Sequence, residues 1–226
     1  MLNHTAEQEI IYNLRGKPNS EGRPMCYKCM RPRTHCVCNL VKQFRAHCNV
    51  LIIQHPHERK KYYGTAKIVT SAISNSKLLR GLQFEPAYIE KIMDGQKPYI
   101  LYPGKDSVDC EDIPLDTGNT IIAIDGTWDE AGKIMHRNPF LKTFPRLTFN
   151  RPFRSAYQIR KQPKPNYLST LESIGHLLKL SAQSMNDFEL VKRYDSLFEG
   201  FQLMIAQQLE YIENGRSERK ICGLES

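Results

Sequence analysis

Apolar residues in this chain form short continuous runs rather than alternating patterns. The clearest runs cover residues 50–53, 99–102 and 120–124, and a shorter one covers residues 147–149. A continuous apolar run of about four to eight residues is typical of a strand that is covered on both faces, because neither face carries polar side chains. The pattern therefore predicts a mostly parallel sheet flanked by helices, which is an α/β fold.

Helical periodicity occupies the intervals between these runs and the C-terminal part of the chain. We predict helices over residues 64–80, 128–137, 170–183 and 187–212. In the last of them apolar residues recur at three- and four-residue steps, which places them on one face of a helix. This stripe consists of Val191, Tyr194, Phe198, Phe201, Ile205, Leu209 and Ile212. We expect the stripe to pack against the sheet, with a second subunit as the alternative partner.

Length and composition indicate one main domain with short additions. The chain has 226 residues, of which 40% are hydrophobic, enough for a sizeable core. We expect flexible tails over residues 1–24 and 216–226, a cysteine motif over 25–48 and the main domain over 49–215. Neither a long apolar segment nor a signal-like start occurs, so we expect no membrane contact. We expect a cytoplasmic protein, or a nuclear one in a eukaryote, and a monomer rather than a dimer.

Four of the seven cysteines lie within thirteen residues, a spacing that suits a metal better than a disulfide framework. They are Cys26, Cys29, Cys36 and Cys38. Zinc binds four thiolates in a tetrahedron, and four protein ligands leave no position for water, so we predict a structural zinc site. The alternatives are a redox-active dithiol, unliganded thiols, or His35, His47 or Cys48 as a substitute ligand.

Positive charge is concentrated on part of the chain. Residues 137–164 contain eight Lys and Arg and no acidic residue, while residues 85–116 contain eight acidic residues and three lysines. Together with the net charge of +8, this one-sided distribution favours oriented binding of a nucleic acid, although a solvated basic face without a partner is the alternative. Lys28, Arg31 and Arg33 make the cysteine motif basic as well, so we expect it to contact phosphates.

Polar segments follow the predicted strands, at the edge of an open α/β sheet where ligands bind. Residues 54–58 read Gln-His-Pro-His-Glu, residues 102–104 read Tyr-Pro-Gly, and residues 125–130 read Asp-Gly-Thr-Trp-Asp-Glu. A fourth segment covers residues 157–160, and residues 168–172 read Leu-Ser-Thr-Leu-Glu at the start of a predicted helix. The chain carries neither a glycine-rich dinucleotide motif nor a phosphate-binding loop motif.

Each of these segments also has a purely structural interpretation. Thr127 with Glu130, and Ser169 with Glu172, match the capping box, in which a hydroxyl and a carboxylate satisfy the free amides of a helix start. Trp128, the single tryptophan, is by residue type more often a core residue than a ligand contact, and His55, which precedes Pro56, also fits a buried histidine whose hydrogen bonds are satisfied. These alternatives stay open on the residues alone.

Taken in order along the chain, the segments resemble a known family. Asp-Gly-Thr-Trp at residues 125–128 resembles the signature of the DTW-domain family, the tRNA-uridine aminocarboxypropyltransferases. The resemblance extends from about Cys26 to Gln207 and includes the cysteine spacing and residues 54–56, 101–104, 159–160 and 168–172. One Asp-x-Thr-Trp would be a weak signal, whereas five matching segments in the same order are specific.

The resemblance implies a reaction and a more detailed fold. The family transfers the 3-amino-3-carboxypropyl group of S-adenosylmethionine to N3 of a tRNA uridine and releases methylthioadenosine. Its fold is similar to that of the SPOUT RNA methyltransferases, with a C-terminal knot that the apolar pattern alone does not predict. Attack at the methylene beside the sulfonium, rather than at the smaller methyl, makes positioning the main task of the enzyme. The proton on N3 requires a general base.

Roles for individual residues follow from the resemblance and from the strand ends. We expect Asp125 to be the general base, with helix capping or binding of the cofactor ammonium as alternatives, and Thr127 and Trp128 to complete the catalytic set. The residues expected to contact S-adenosylmethionine are Leu101, Tyr102, Pro103, Gly104, Asp125, Arg160, Ser169, Thr170 and Glu172. The residues expected to contact tRNA are His55, Arg59, Lys60, Lys61, Arg137, Arg146, Arg151, Arg154 and Lys161.

Two other functions fit parts of the pattern. A SPOUT-like RNA methyltransferase would share the cofactor and the fold but transfer the methyl group. A non-catalytic zinc-containing RNA-binding protein would need the basic segments and the cysteines, but would not need Asp125, Arg160 or Glu172. The clustering of polar segments at strand ends favours an enzyme over a binding module.

Overall fold

A six-stranded sheet forms the centre of the molecule. The computed structural model describes residues 24, 26, 29, 31–33, 36–61, 64–157 and 167–221, without the side chains of Lys60 and of residues 211–221. The strands are β1 (Asn49–Gln54), β2 (Ser76–Arg80), β3 (Lys97–Leu101), β4 (Val108–Asp109), β5 (Asn119–Asp125) and β6 (Arg146–Thr148). In the order β2-β1-β5-β3-β6-β4 each strand is parallel to its neighbours, which confirms the predicted α/β class.

Helices connect and cover the strands. They are α1 (Ala66–Ala72), α2 (Pro86–Met93), α3 (Trp128–Arg137), α4 (Thr170–Ser184) and α5 (Phe188–Ile221), and short 3-10 helices cover Pro56–Lys60, Cys110–Asp112 and Pro139–Thr143. The three helices predicted after β5 are confirmed, each beginning at or next to the expected residue, although the last continues to Ile221, beyond the predicted end at residue 212. Proline at the first position of α2 suits a helix start, because the amide that proline lacks has no partner there.

The single helix predicted over residues 64–80 is wrong beyond Ala72. The chain turns at residues 74–75 and continues as β2, which pairs with β1 in the register Ile52 to Leu78. The side chain of Asn75 stabilises the turn, because its Nδ2 donates to the Cys48 carbonyl over 2.9 Å. β2 lies at the sheet edge and is only partly buried, and so short a run does not distinguish a strand from a helix by periodicity.

Burial on both faces explains why the central strands are continuously apolar. Val50 and Ile52 of β1 belong to a core shared with α1, α4 and α5, whereas Leu51 and Ile53 belong to a second core shared with α2 and α3. Successive strand residues point to opposite faces of the sheet, so both faces need apolar side chains. Burying each such side chain stabilises the fold by about 1.5 to 3 kcal/mol.

The cysteine motif and the long C-terminal helix pack on the first of these cores. Val37, Val41 and Cys48 are buried there, as are Tyr194 and Phe201 of the predicted stripe. Of the remaining stripe residues, Ile205 is buried, and Val191, Phe198 and Leu209 pack against the same core, so packing against the fold is confirmed up to Leu209. The side chain of Ile212 lies outside the described part of the chain.

Two further expectations concern the wider architecture. Among the helices that the structure describes, none combines the length and apolar character needed to cross a membrane. The C-terminal knot stays a prediction from the family resemblance.

Candidate active site

A cavity of about 560 Å³ opens at the carboxyl ends of β3, β5 and β6. Its walls consist of residues 101–103, 123–124, 126, 128, 131, 147–153, 167–168, 170 and 173. A volume between about 300 and 1,000 Å³ is usual for a site that encloses a small organic ligand. The position at the ends of parallel strands is also the usual one for ligand binding in open α/β sheets.

Five of the residues predicted to take part in catalysis or cofactor binding line this cavity. They are Leu101, Tyr102, Pro103, Trp128 and Thr170. They come from three separate segments of the chain, each of which follows a strand or begins a helix. The structure therefore brings together three of the segments that carried the family resemblance, 101–104, 125–128 and 168–172.

Other predicted site residues lie outside the cavity wall. Asp125 and Thr127 flank Gly126 in the sequence but do not line the cavity, and Ser169 and Glu172 form the start of α4. Gly104 packs under Arg146, whose guanidinium occupies the space that a β-carbon would take. Arg160 lies outside the described residues. The roles assigned to these residues stay predictions.

Asp125 is held by hydrogen bonds on both carboxylate oxygens. Gln54 Nε2 donates to Oδ2 over 2.8 Å, and the Thr170 hydroxyl donates to Oδ1. Asp125 is only 6% exposed, so these donors replace the water that a carboxylate requires. The side chain thereby joins three elements, since Gln54 ends β1, Asp125 ends β5 and Thr170 begins α4.

Gln54 is itself oriented by Arg80. The Arg80 Nε donates to Gln54 Oε1 over 2.8 Å. Because arginine has only donors, it fixes the amide with the oxygen toward Arg80 and the NH2 toward Asp125. A continuous chain of hydrogen bonds therefore runs from Arg80 through Gln54 and Asp125 to Thr170 at the cavity wall.

Both helix starts beside the cavity are closed by capping boxes, as the sequence predicted. In α3 the Thr127 hydroxyl accepts from the Glu130 amide, while Glu130 Oε2 accepts from the Thr127 amide over 2.8 Å. Burial would raise the pKa of Glu130, but hydrogen bonds from Thr127 and the charge of Lys61 lower it to about 2. Glu130 is therefore a carboxylate at neutral pH.

In α4 the same motif also fastens the preceding chain. The Ser169 hydroxyl accepts from the Glu172 amide, and Glu172 Oε2 accepts from the Ser169 amide over 2.8 Å. Glu172 is 1% exposed and also accepts hydrogen bonds from the Ser155 hydroxyl and the Ala156 amide. Its carboxylate is thus occupied in holding residues 155–156 against α4.

Aromatic side chains surround the mouth of the cavity. Trp128 is 48% exposed, although it follows a buried strand, which excludes the interpretation of Trp128 as a core residue. Its ring centroid lies 5.4 Å from that of Tyr167 and 6.1 Å from that of Tyr102, and both pairs are tilted by 57°. Exposed aromatic faces next to a cavity are suited to stacking on a planar ligand.

One wall of the cavity was not predicted from the sequence. Residues 149–153 and Tyr167 line it, and none was predicted to bind the cofactor, although Arg151 was predicted to contact tRNA. The sequence did carry a signal for this wall, because residues 150–153 directly follow the apolar run at 147–149, which overlaps β6. The strand-end rule applied to that run would have identified them.

Comparison with known sequences identifies the family. The profile of the DTW domain matches residues 23–209, which is most of the chain and includes all the cavity segments. The chain belongs to the DTW-domain family. No solved structure matches it.

Three proteins similar to this DTW-domain chain carry the name tRNA-uridine aminocarboxypropyltransferase 2. One from Drosophila melanogaster is 32% identical over 69% of this chain, and those from Macaca fascicularis and Mus musculus are 29% and 28% identical over 83% and 72%. The matches span 66%, 66% and 58% of these proteins, in the same order. The DTW chain therefore covers slightly less than two thirds of their length.

The four cysteines of this DTW-domain protein are gathered into one cluster. Sγ of Cys26 lies 3.6 Å from that of Cys38, Sγ of Cys29 lies 3.8 Å from that of Cys36, and all four sulfurs lie within 4.8 Å of one another. A tetrahedral zinc ion with sulfur ligands at about 2.3 Å separates them by about 3.8 Å. The residues present therefore fit zinc. Burial raises the pKa of the Cys29 thiol, so metal binding has to release protons.

The arginines predicted to contact tRNA differ in their surroundings. Arg59, Arg137 and Arg154 are exposed, and Arg146 is half-buried, with its guanidinium packed against Gly104. Arg151 is exposed at the cavity, and its Nε lies 2.8 Å from Glu111 Oε1, which offsets part of its charge. Exposed arginines can bind phosphates, although their contact with tRNA stays a prediction.

Three of the remaining residues predicted to contact tRNA, His55, Lys60 and Lys61, follow β1. His55 is 3% exposed, so it offers little surface to a nucleic acid. Lys61 forms an ion pair with Glu58, which is buried. Lys161 and the side chain of Lys60 lie outside the described part of the chain.

Proposed function

We propose that this chain is an S-adenosylmethionine-dependent tRNA-uridine aminocarboxypropyltransferase. It would transfer the 3-amino-3-carboxypropyl group to N3 of a tRNA uridine and release methylthioadenosine. The observation that carries the proposal is the meeting of residues 101–103, 126, 128 and 170 at one cavity of about 560 Å³, because these segments carry the family signature. The names of the three relatives support the same activity.

The reaction forms one bond and breaks one. Uridine N3 attacks the methylene beside the sulfonium, the carbon–sulfur bond breaks, and its electron pair stays on sulfur as a neutral thioether. The proton of N3 has to leave for the nitrogen lone pair to become nucleophilic. The protein therefore has to hold N3 in line with that methylene and provide a route for one proton.

The route that the geometry favours passes through Thr170 to Asp125. Thr170 lines the cavity and donates its hydroxyl proton to Asp125 Oδ1, while Asp125 itself lies behind the wall. As the N3 proton moves to the Thr170 oxygen, the hydroxyl proton moves to Asp125. Gln54 keeps Asp125 in place through the other oxygen, at 2.8 Å. In this scheme Asp125 is the base that the sequence suggested, but it acts through Thr170.

The aromatic mouth of the cavity is suited to the uridine base. Trp128 presents an exposed face between Tyr102 and Tyr167, and stacking on an aromatic ring contributes about 1 to 3 kcal/mol per base. Single-stranded loop nucleotides can be unstacked and bound in this way. The backbone at residues 101–103 is then available to the adenosine part of the donor.

The amides at the start of α4 are mostly in use, which limits how they can bind the methionine carboxylate. The Leu171 amide donates to the Thr65 hydroxyl and the Glu172 amide donates to the Ser169 hydroxyl. The side chain best placed in the described wall to pair with a carboxylate is Arg151. Arg160, expected in this role from the resemblance, is the alternative.

The cysteine cluster is proposed to hold a structural zinc ion. Cys26, Cys29, Cys36 and Cys38 would supply four thiolates, and the ion would fold the motif against the core without taking part in group transfer. Arg33 of the motif is exposed and would contact the tRNA backbone, whereas Arg31 is only 3% exposed and offers little surface to it.

Product identity tests the proposed reaction. We would incubate the full chain with unmodified tRNA and S-adenosylmethionine and separate the small products by chromatography with mass detection. Methylthioadenosine, together with an aminocarboxypropyl-uridine in the digested tRNA, is expected. S-adenosylhomocysteine with a methylated nucleoside would indicate a methyltransferase instead, and tRNA binding without either product would indicate a binding module.

Asp125→Asn separates the two roles of the carboxylate. The variant should bind S-adenosylmethionine normally but lose turnover, since an amide does not accept the proton. Loss of binding, measured by calorimetry on the same preparation, would contradict the base and favour an anchoring role.

A further inference from the structure

Two histidines and a glutamate converge where the 3-10 helix Pro56–Lys60 meets the start of α3, away from the cysteine cluster. Glu130 Oε1 lies 3.4 Å from His55 Nδ1 and 3.3 Å from His57 Nδ1. The three ligand atoms all lie within 4.8 Å of one another. None of these side chains lines the cavity, so the cluster is separate from the proposed transfer site.

The hydrogen bonds around this cluster leave acceptors facing each other. The His57 amide donates to His55 Nδ1 over 3.3 Å, so that nitrogen presents its lone pair rather than a proton. Glu130 uses Oε2 to cap α3, and its Oε1 lies within hydrogen-bond distance of His57 Nδ1 and 3.4 Å from His55 Nδ1. Two acceptors 3.4 Å apart repel each other unless a positive species bridges them. The hydrogen bond from the His57 amide to His55 Nδ1 is long, at 3.3 Å, so a metal ion can replace the amide as the partner of that nitrogen.

The spacing matches that of a tetrahedral metal site. Nitrogen and oxygen ligands bind zinc at about 2.0 to 2.1 Å, so a tetrahedron places neighbouring ligand atoms about 3.3 to 3.4 Å apart. The two measured separations, 3.4 and 3.3 Å, agree with this value. Octahedral coordination at the same bond length would place them closer, at about 3.0 Å.

We propose that His55, His57 and Glu130 form a second metal site, which binds zinc or a similar borderline divalent ion and keeps one position open to water. Two imidazoles and one carboxylate form a donor set that suits zinc, cobalt or nickel better than magnesium or calcium. The side chain of His57 is 78% exposed, so the open position faces solvent. Three protein ligands with one exchangeable position distinguish this site from the closed set of four cysteines.

Local charge makes the site weaker than the cysteine cluster. Lys61 and Lys133 both carry positive charge near His55. Lys61, however, is paired with the buried Glu58, which offsets its charge. One carboxylate and two neutral rings then neutralise less of the ion's charge than four thiolates do, so the second ion should exchange more readily.

Occupancy would affect the neighbouring cavity. His55 follows β1 and Glu130 belongs to the first turn of α3, so an ion would join the segment after β1 to the start of α3. Gly126, Trp128 and Ala131, at the same end of α3, line the cavity. The ion would therefore hold one wall of the cavity in place.

The experiment counts metal ions on the purified full chain. The protein is equilibrated by dialysis against buffered zinc, and bound zinc is measured by plasma mass spectrometry. Two zinc ions per chain are expected for the unchanged protein and one for His57→Ala. His136→Ala removes an exposed histidine from the last turn of α3, the helix that carries Glu130, and should retain two zinc ions. Glu130→Gln keeps an oxygen to cap α3 and should weaken the second ion at least tenfold.

Cobalt identifies which ligands hold each ion. The first equivalent of Co²⁺ should give the intense near-ultraviolet charge-transfer band of thiolate ligands, and the second should add weaker visible bands without increasing that band. One ion per chain in the unchanged protein would overturn the proposal. A second ion that persists unchanged in His57→Ala, or one with a thiolate band, would overturn it as well.

Discussion

Thr170→Val tests the proton route most directly. Thr170 is partly buried, lines the cavity and donates its hydroxyl proton to Asp125. Valine has nearly the same shape, so the substitution removes the O–H group and leaves the packing at the start of α4 largely unchanged. The hydroxyl is not needed for the cap of α4, because Ser169 and Glu172 provide it.

The structure gives the expected size of two separate effects. Loss of a positioned proton-transfer group lowers turnover by about 10² to 10⁴-fold, so we expect kcat to fall at least about 100-fold with little change in KM. The Asp125 carboxylate, 6% exposed, also loses one of its two donors, which costs about 1 to 3 kcal/mol of stability. For a domain of this size, each kcal/mol lowers the melting temperature by about 2 to 4 °C.

The assay is the initial rate of methylthioadenosine release at saturating tRNA, with circular dichroism to show that each variant is folded. Thr170→Ser restores the hydroxyl and should recover most of kcat. Thr70→Val removes a hydroxyl that donates only to the Lys67 carbonyl, over 3.2 Å, and should leave kcat unchanged. A folded Thr170→Val protein with the kcat of the unchanged chain would refute the proton route through Thr170. So would a Thr170→Ser protein that is as slow as the valine variant.

Three further predictions concern stability. Burial lowers the pKa of His176 to about 4. The stabilisation from keeping this imidazole neutral is therefore fully present above pH 6.5, and the free energy of unfolding falls by at most about 3 kcal/mol between pH 6.5 and pH 4. Urea unfolding of His176→Phe should show a shallower loss over that interval, and an unchanged slope would contradict this. A strong chelator should lower the melting temperature because it removes the zinc ion from the cysteine cluster. An unaltered melting curve after verified metal removal would argue against a structural ion. Gly200→Ala should destabilise the fold by about 1 to 3 kcal/mol in chemical denaturation, despite the higher helix propensity of alanine, because its methyl group overlaps Val41. A more stable variant would show that Val41 can move aside.

The elements that sequence predicted well are those with a strong local signal. The run at residues 120–124 became β5, and the capping boxes at Thr127 and Ser169 marked the starts of α3 and α4. β2 was misread because its pairing with β1 is a long-range contact at a sheet edge. β4, only two residues long, is defined by its pairing with β6 and carries no periodic pattern at all.

The candidate site was predicted in part for the same reason. Residues 101–103 were found because they lie at the end of an apolar run, and Trp128 because it belongs to the family signature; all four line the cavity. The hydrogen bonds of Asp125 were not predictable, because Gln54 and Thr170 meet it only after β1, β5 and α4 have assembled. That assembly also decides that Asp125 lies behind the cavity wall rather than in it.

The all-parallel sheet has a consequence for how the chain acquires its structure. Adjacent strands of this sheet do not form hairpins, and the bonded partners Gln54 and Asp125 at the centre are separated by 71 residues. Such non-local pairing makes folding slow relative to a helical bundle of similar size. During synthesis β1 therefore emerges with both edges unpaired and must wait for β5 before its central edge is covered. Over that interval the nascent chain exposes an apolar strand, so the period before Asp125 emerges is when aggregation or chaperone binding is most expected.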